Sequence, residues 1–165
     1  MLNIRNAVQE DADALATIYN HFVEHTHITF DISPVDRNNR LEWMNQFDTD
    51  GRHQLLVGEV DGHVVGYACS SRLRTKAAYD LSVETTIYLQ SGRQGHGLGE
   101  QLYRELLARL SATDVHRCYG VIALPNDASI HLHQKLGFSS VGQLTEVGYK
   151  FGRYWDTLWM EKSLS

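Results

Sequence analysis

One stretch limits the folds open to this chain more than any other: a β-branched run from Ser82 to Gln90, a glycine turn, and a leucine-striped helix ending at Leu110. Gly95, Gly97 and Gly99 alternate in the turn. Glycine there lets the backbone take conformations closed to other residues and lets a ligand approach bare peptide. Leu98, Leu102, Leu106 and Leu110 follow, with Tyr103 and Leu107 beside them. That three-to-four spacing marks a helix with one buried stripe. NH groups of the turn and of the first helical turn point the same way, so the unit offers a positively polarised cradle for phosphate oxygens. The ligand this suggests is a diphosphate.

Spacing narrows which diphosphate. A dinucleotide fingerprint needs a third glycine at the sixth position, but that position is Glu100 counted from Gly95 and Leu102 counted from Gly97. The Gly-Lys-Ser/Thr ending of a P-loop is absent as well. What remains is Gln94-x-x-Gly97-x-Gly99, led by Arg93. It resembles the acyl-CoA diphosphate motif of the GNAT acetyltransferase superfamily. Taken alone, the glycines also fit a tight strand-to-helix connection with no ligand.

With 165 residues, 42% of them hydrophobic and 21% charged, the chain suits one globular domain, residues 1–165, with a single core. The balance of 15 basic against 20 acidic residues gives a net charge of −5, with no run of either sign. Nucleic-acid binding and anionic-membrane binding are therefore not expected. Cys69 and Cys118 each lie within an apolar run and far apart, which reads as core thiols of a reducing compartment. No apolar signal core opens the sequence and no apolar run reaches membrane length, so a cytoplasmic location is the expectation.

In chain order, Leu2 to Val8 alternates as a first strand, and Gln9, Glu10 and Asp11 precede a helix lined by Leu15, Ile18, Tyr19, Phe22 and Val23. Thr26 to Phe30 reads as a linker, and Ser33-Pro34 as the opening of a second helix running through Trp43, Met44 and Phe47. Strands from Leu55 to Val60 and from Val64 to Ser70 flank Asp61-Gly62, a two-residue hairpin signal. After the central unit come a strand at Tyr119 to Leu124, a helix at Asn126 to Leu136 closed by Gly137, and strands near Ser140 to Val147 and Trp155 to Lys162. The expected fold is α/β (α+β): one domain with a mixed, mostly antiparallel sheet of about seven strands flanked by about four helices.

That element order is similar to the GNAT fold, and further segments narrow the likeness. Tyr79 to Leu89, Leu124-Pro125-Asn126-Asp127-Ala128-Ser129 with Leu132-His133 and Leu136-Gly137-Phe138, and Val147 to Gly152 with Trp155-Asp156 resemble the phosphinothricin N-acetyltransferase family. Ile18 to His21 and Thr29-Phe30 fit it too. The resemblance implies acetyl-CoA as co-substrate and a small amino-acid-like acceptor, phosphinothricin or methionine sulfoximine in type. It also implies direct attack in a ternary complex and a homodimer. Acetylation of another small amine and a catalytically silent CoA-binding regulatory domain are the alternatives.

Acetyl transfer from a thioester needs a neutral amine, a polarised carbonyl and relief of the departing thiolate. Glu84 is an anomalous carboxylate in an apolar strand, open between a buried base and a solvent-facing residue; the resemblance assigns it the base. By the same resemblance Tyr88, Leu89 and Gln90 run along the coenzyme. Gln94, Gly95, His96, Gly97, Leu98 and Gly99 grip its diphosphate, and Asn126 and Ser129 form a second coenzyme segment. Thr85, Thr86 and Ile87 face the acceptor. A backbone NH on the developing oxyanion contributes about 3 kcal/mol in comparable acyl transfers.

His133 occupies the place where many relatives put a tyrosine beside the sulfur, so it is a candidate acid for the thiolate; a helix histidine satisfied by backbone is the plainer reading. Arg72 and Arg74 are candidates for an acceptor's carboxylate or phosphinate, with Phe30 and Tyr79 as weaker pocket residues. Many family members carry Trp at the position of Leu73, which leaves the pocket wall open. The nine histidines, His21 and His25 or His131 and His133 among them, lack familiar ligand spacing, so no metal is expected. Acetyl transfer should therefore proceed undiminished in a metal chelator, and loss restored by a divalent cation would refute that expectation.

Overall fold

The computed structural model describes residues 1–165. Seven strands form one sheet: β1 (Asn3–Asn6), β2 (Leu55–Val60), β3 (His63–Arg72), β4 (Ser82–Leu89), β5 (Arg117–Ala123), β6 (Ser139–Lys150) and β7 (Arg153–Ser163). Their spatial order is β1-β2-β3-β4-β5-β7-β6. Every neighbouring pair is antiparallel except β4–β5. A parallel pair needs a crossover, which α3 (Leu98–Ser111) supplies. The mixed sheet and four helices match the fold class expected from the sequence.

Strand alternation divides the interior between the two faces of the sheet. Leu55, Val57, Tyr67 and Cys69 point to one face, where Leu15, Ile18 and Phe22 of α1 (Ala12–His25) cover them, with Trp43 and Met44 of α2 (Arg37–Met44) packed alongside. Leu56, Ala68 and Val83 point to the other, beneath Leu102, Leu106 and Leu110 of α3. Ile130 and Leu132 of α4 (Asp127–Lys135) pack against that second cluster. Both cysteines are buried and free. No helix is long and apolar enough to cross a membrane.

Several boundaries differ from expectation for identifiable reasons. The second helix starts at Arg37, not at Ser33-Pro34, because the Asp36 carboxylate accepts the Asn39 NH at 2.8 Å and caps it. The preceding residues are drawn onto α1 instead. Asn20 donates its amide to the Val35 carbonyl and accepts the Val35 NH, both at 2.8 Å. The last hairpin is longer than expected, with β6 reaching Lys150. It turns through Phe151 and Gly152, both at positive φ (55° and 72°). Asp61 and Gly62 adopt the same kind of turn, at 52° and 78°, as their sequence implies.

Gly120 on β5 is a point of close approach. A Cβ there would lie 2.5 Å from Nε2 of the buried His133 ring. Gly120→Ala should destabilise the fold by about 1–3 kcal/mol, because this overpacking outweighs the smaller gain of about 1 kcal/mol from restricting the unfolded chain. A lower midpoint in chemical denaturation checks this; an unchanged or raised midpoint contradicts it.

Candidate active site

The pairing of β4 with β5 extends only from Ser82↔Arg117 to Glu84↔Tyr119. Beyond that point β4 stays with β3 as far as Gly66↔Leu89, while β5 stays with β7 as far as Ala123↔Thr157. The two parallel strands therefore part, leaving a wedge that opens toward their carboxyl ends. The Gln90 NH bonds the Val65 carbonyl at 2.8 Å, so by the two-residue alternation the NH groups of Ile87 and Leu89 point into the wedge. At the apex, Thr85 Oγ1 lies 3.3 Å from the Tyr119 carbonyl.

The mouth of this wedge is where α3 and α4 begin, in keeping with the tendency of sheet enzymes to bind ligands beyond the carboxyl ends of parallel strands. Gly92, Gly95 and Gly97 all take positive φ, at 82°, 83° and 74°. Gly97 is the N-cap of α3 and has no side chain to cap it. The backbone NH groups from Gln94 to Glu100 meet no protein acceptor, which leaves a cradle of donors. Gln94 to Gly97, His96 included, are exposed, and the Gln94 amide oxygen folds back to accept the Gly92 NH at 2.9 Å. Leu98 is half-buried. A Cβ on the buried Gly99 would sit 3.2 Å from Leu89, so this glycine lets α3 start close against β4. Gln90 is exposed at the strand's end. Asn126 caps α4 by accepting the Ser129 NH at 3.2 Å.

On the face of β4 opposite α3, Glu84, Thr86 and Tyr88 border a cavity of about 310 Å³, joined by Tyr67, Cys69 and Ser71 of β3. Tyr19 of α1, Thr29 and Asp31 of the connection, and Arg40 and Trp43 of α2 complete the lining. Tyr19 Oη donates to Asp31 Oδ2 at 2.5 Å and lies 2.8 Å from Thr29 Oγ1. Burial and the Asp31 carboxylate push the Tyr19 phenol up to about 12. Burial likewise pushes the Cys69 thiol up to about 12, which keeps it protonated and unsuited to carry an acyl group. Glu84 is held above the ordinary carboxylate value by burial, against a downward pull from the Arg74 guanidinium. The buried Lys150 donates to the Thr29 carbonyl at 2.8 Å, and so ties the cavity's upper wall to the last hairpin.

The sequence-based candidates distribute unevenly over this geometry. Of Thr85, Thr86 and Ile87, only Thr86 turns its side chain to the cavity; alternation sends the other two to the α3 face. Phe30 is half-buried where Gly148 makes room for its ring. Tyr79 is 45% exposed, Arg72 is paired with Asp80 at 3.1 Å, and Arg74 extends toward the Trp159 ring, 5.7 Å from its centroid. None of these four lines the cavity. The histidines join no group of three or more potential metal ligands. Tyr19, Asp31, Arg40 and Trp43 do line the cavity but were not singled out from the sequence. The one available signal was Arg40, a charge three residues before Trp43 on the same helical face.

His133 is placed away from the cavity. Its ring is 4% exposed and forms the end of a chain on the α3 face. Thr85 Oγ1 is 2.6 Å from Tyr103 Oη, which is 3.1 Å from His133 Nε2, while Nδ1 is 2.8 Å from the Ser129 carbonyl. A carbonyl only accepts, so Nδ1 carries the proton, Nε2 accepts from Tyr103, and Tyr103 accepts from Thr85. The neutral ring satisfies every partner. The bond from Nδ1 to the Ser129 carbonyl is one that a helix histidine satisfied by backbone makes.

Comparison with known proteins gives a consistent family signal. The model of the acetyltransferase (GNAT) family matches residues 15–138. Phosphinothricin N-acetyltransferase of Streptomyces coelicolor is 45% identical over 165 residues, covering 99% of this chain and 96% of that protein. The L-methionine sulfoximine/L-methionine sulfone acetyltransferase of Pseudomonas aeruginosa is 35% identical, with 98% and 94% covered. Among solved structures, YncA of Salmonella typhimurium with its cofactor acetyl-CoA superposes with a TM-score of 0.95 at 36% identity, covering all of this chain and 95% of that one.

Burial lowers the basicity of His133, against the opposing hydrogen bond to Ser129. Between its lowered folded value and the ordinary value near 6.5 the unfolded chain binds the extra proton, so the His133 contribution to stability is present above pH 6.5 and is lost as pH falls. His133→Gln should flatten this part of the stability–pH profile in denaturant titrations; a profile of unchanged slope would assign the acid sensitivity to other groups.

Proposed function

The chain belongs to the acetyltransferase (GNAT) family, and from that premise we propose that it moves the acetyl group of acetyl-CoA to the α-amino group of a small amino acid or analogue of the phosphinothricin and methionine sulfoximine type. The observation that carries this reading is Glu84. It stands at the point where β4 leaves β5 and faces a cavity of about 310 Å³ walled by aromatic rings. That volume is at the lower end of small-ligand sites.

Each residue has a distinct part in the proposed reaction. Amide donors from Gln94 to Gly99 hold the coenzyme's diphosphate, a role that fits their lack of protein acceptors. Acetyl-CoA supplies an activated thioester. Beside the wedge, the NH groups of Ile87 and Leu89 polarise the thioester carbonyl, and backbone from Tyr88 to Gln90 aligns the pantetheine arm. Glu84, made more basic by burial, removes a proton from the acceptor's ammonium group directly or through one water. The freed nitrogen attacks the thioester carbon, the C–S bond breaks as the amide forms, and the second proton shed by the nitrogen leaves with the CoA thiolate as free thiol. Direct attack in a ternary complex is supported by the Cys69 thiol, which stays protonated beside the cavity. A homodimer is supported by Val141, Val147, Tyr149, Phe151 and Tyr154, all more than half exposed along the β6–β7 hairpin at the sheet's open edge.

Release of free thiol from acetyl-CoA with a panel of amino acids and amines tests the activity. Glu84→Gln should lower kcat/KM by roughly 10²- to 10⁴-fold and remove the rise in rate as pH climbs through the Glu84 pKa, with calorimetric affinity for CoA retained. A variant as active as the parent across the pH range would remove Glu84 as the base. Sedimentation should give about twice the chain mass of 18.8 kDa, and a concentration-independent monomer would exclude the dimer.

A further inference from the structure

Arg40 has an unusual place among the chain's arginines. It lies on α2 and is 6% exposed, with its guanidinium carbon 4.7 Å from the Tyr19 ring centroid and 4.4 Å from that of Trp43. Its Nε is buried without a hydrogen-bond partner. One guanidinium contact is a long bond, from a terminal nitrogen to Asn39 Oδ1 at 3.3 Å. No carboxylate stands within ion-pair distance, whereas Arg5, Arg37, Arg52, Arg72, Arg104, Arg109 and Arg117 are all paired.

Two aromatic faces thus accompany a positive charge withdrawn from water, and of its in-plane donors the protein engages one, through the long bond to Asn39, while Nε has no partner. A buried charge of this kind ordinarily carries a counter-ion, and the planar donor fork of arginine matches a carboxylate in two parallel bonds. The cavity's own acids do not fill that place. Asp31 accepts from Tyr19 Oη, and Glu84 projects from β4 on the sheet wall.

We propose that Arg40 is the residue that binds the carboxylate of the acceptor, setting an α-amino acid across the cavity with its acid group on α2 and its amino group toward β4. This rests on the acetyl-transfer reading above and deepens it by naming the group that separates amino acids from plain amines. Arg72 and Arg74, at the end of β3 and on the connection that leads to β4, are exposed and outside the cavity lining. Trp43 and Tyr19 hold the guanidinium plane by stacking, so the fork is oriented before the ligand arrives and little conformational freedom is lost on binding.

The test is calorimetric titration of L-methionine sulfone and of its carboxamide, which keeps the amine and loses the negative charge, into the CoA-bound protein. The ratio of the two affinities in each protein cancels their differing amine basicity when wild type and variant are compared. Wild type should favour the acid, and Arg40→Gln should cut that preference roughly 10- to 100-fold while leaving the carboxamide's affinity near its original value. Arg40→Lys, which keeps charge but not the fork, should fall between. Carboxamide binding by the variant also reports that the cavity is still folded. Equal weakening of both ligands would mark Arg40 as structural, and an unchanged preference, or wild type binding neither ligand, would overturn the proposal. Thiol release separates it from the parent reading: Arg40-dependent acid binding without turnover supports the clamp and refutes acetyl transfer. Turnover with no preference for acid over carboxamide does the reverse.

Discussion

The parting of β4 from β5 after Glu84↔Tyr119 is the constraint on which the rest of the molecule depends. Two parallel strands would ordinarily continue their ladder, and leaving NH and CO groups unpaired within a sheet costs free energy. Here each strand is held by its other neighbour, β4 by β3 and β5 by β7, so the wedge persists without loosening the sheet. Both helices that follow these strands then begin at the mouth of the wedge, α3 with a glycine N-cap and no side-chain oxygen on its first NH groups.

Alternation along β4 gives its two faces separate duties. Thr85 joins Tyr103 and His133 in a closed hydrogen-bonded chain beneath α3, where every polar atom in the chain has a partner. Glu84, Thr86 and Tyr88 meet the cavity under α1 and α2, where Arg40 Nε has none. The contrast has a physical meaning. Satisfied polar groups rigidify a core, while an unsatisfied buried charge costs stability that a ligand can recover. The far wall is fixed as firmly: Lys150 bonds the Thr29 carbonyl, and His27 stacks on Trp155 with ring centroids 4.3 Å apart. The connection between α1 and α2 is thereby anchored to the last hairpin.

Much of the fold was legible because its signals are local. Asp61-Gly62 and the leucines of α3 specify a turn and a helix through backbone and periodicity alone. Ser33-Pro34 misled as a helix start because the competing interaction, Asn20 bracketing Val35, comes from a residue well back in the chain. The site was less legible. Tyr19 and Trp43 read as members of helical core stripes, and a ring that packs against a sheet has the same spacing as a ring that walls a cavity. His133 was open between two roles for a similar reason, since its partners Tyr103 and Gly120 are remote in sequence.

By itself the sequence determined the order of elements, the glycine turn with its unencumbered NH groups, and a lone carboxylate in an apolar strand. These follow from φ preferences and from periods of two and 3.6 residues, which act over a few neighbours. Only the tertiary structure decided which face of β4 meets a cavity, that Thr85 and His133 close a chain in the core, and that Arg40 is buried without a counter-ion. Those facts depend on which distant side chains share a space, and pairing across a sheet and packing of helices onto it are set by the whole chain at once.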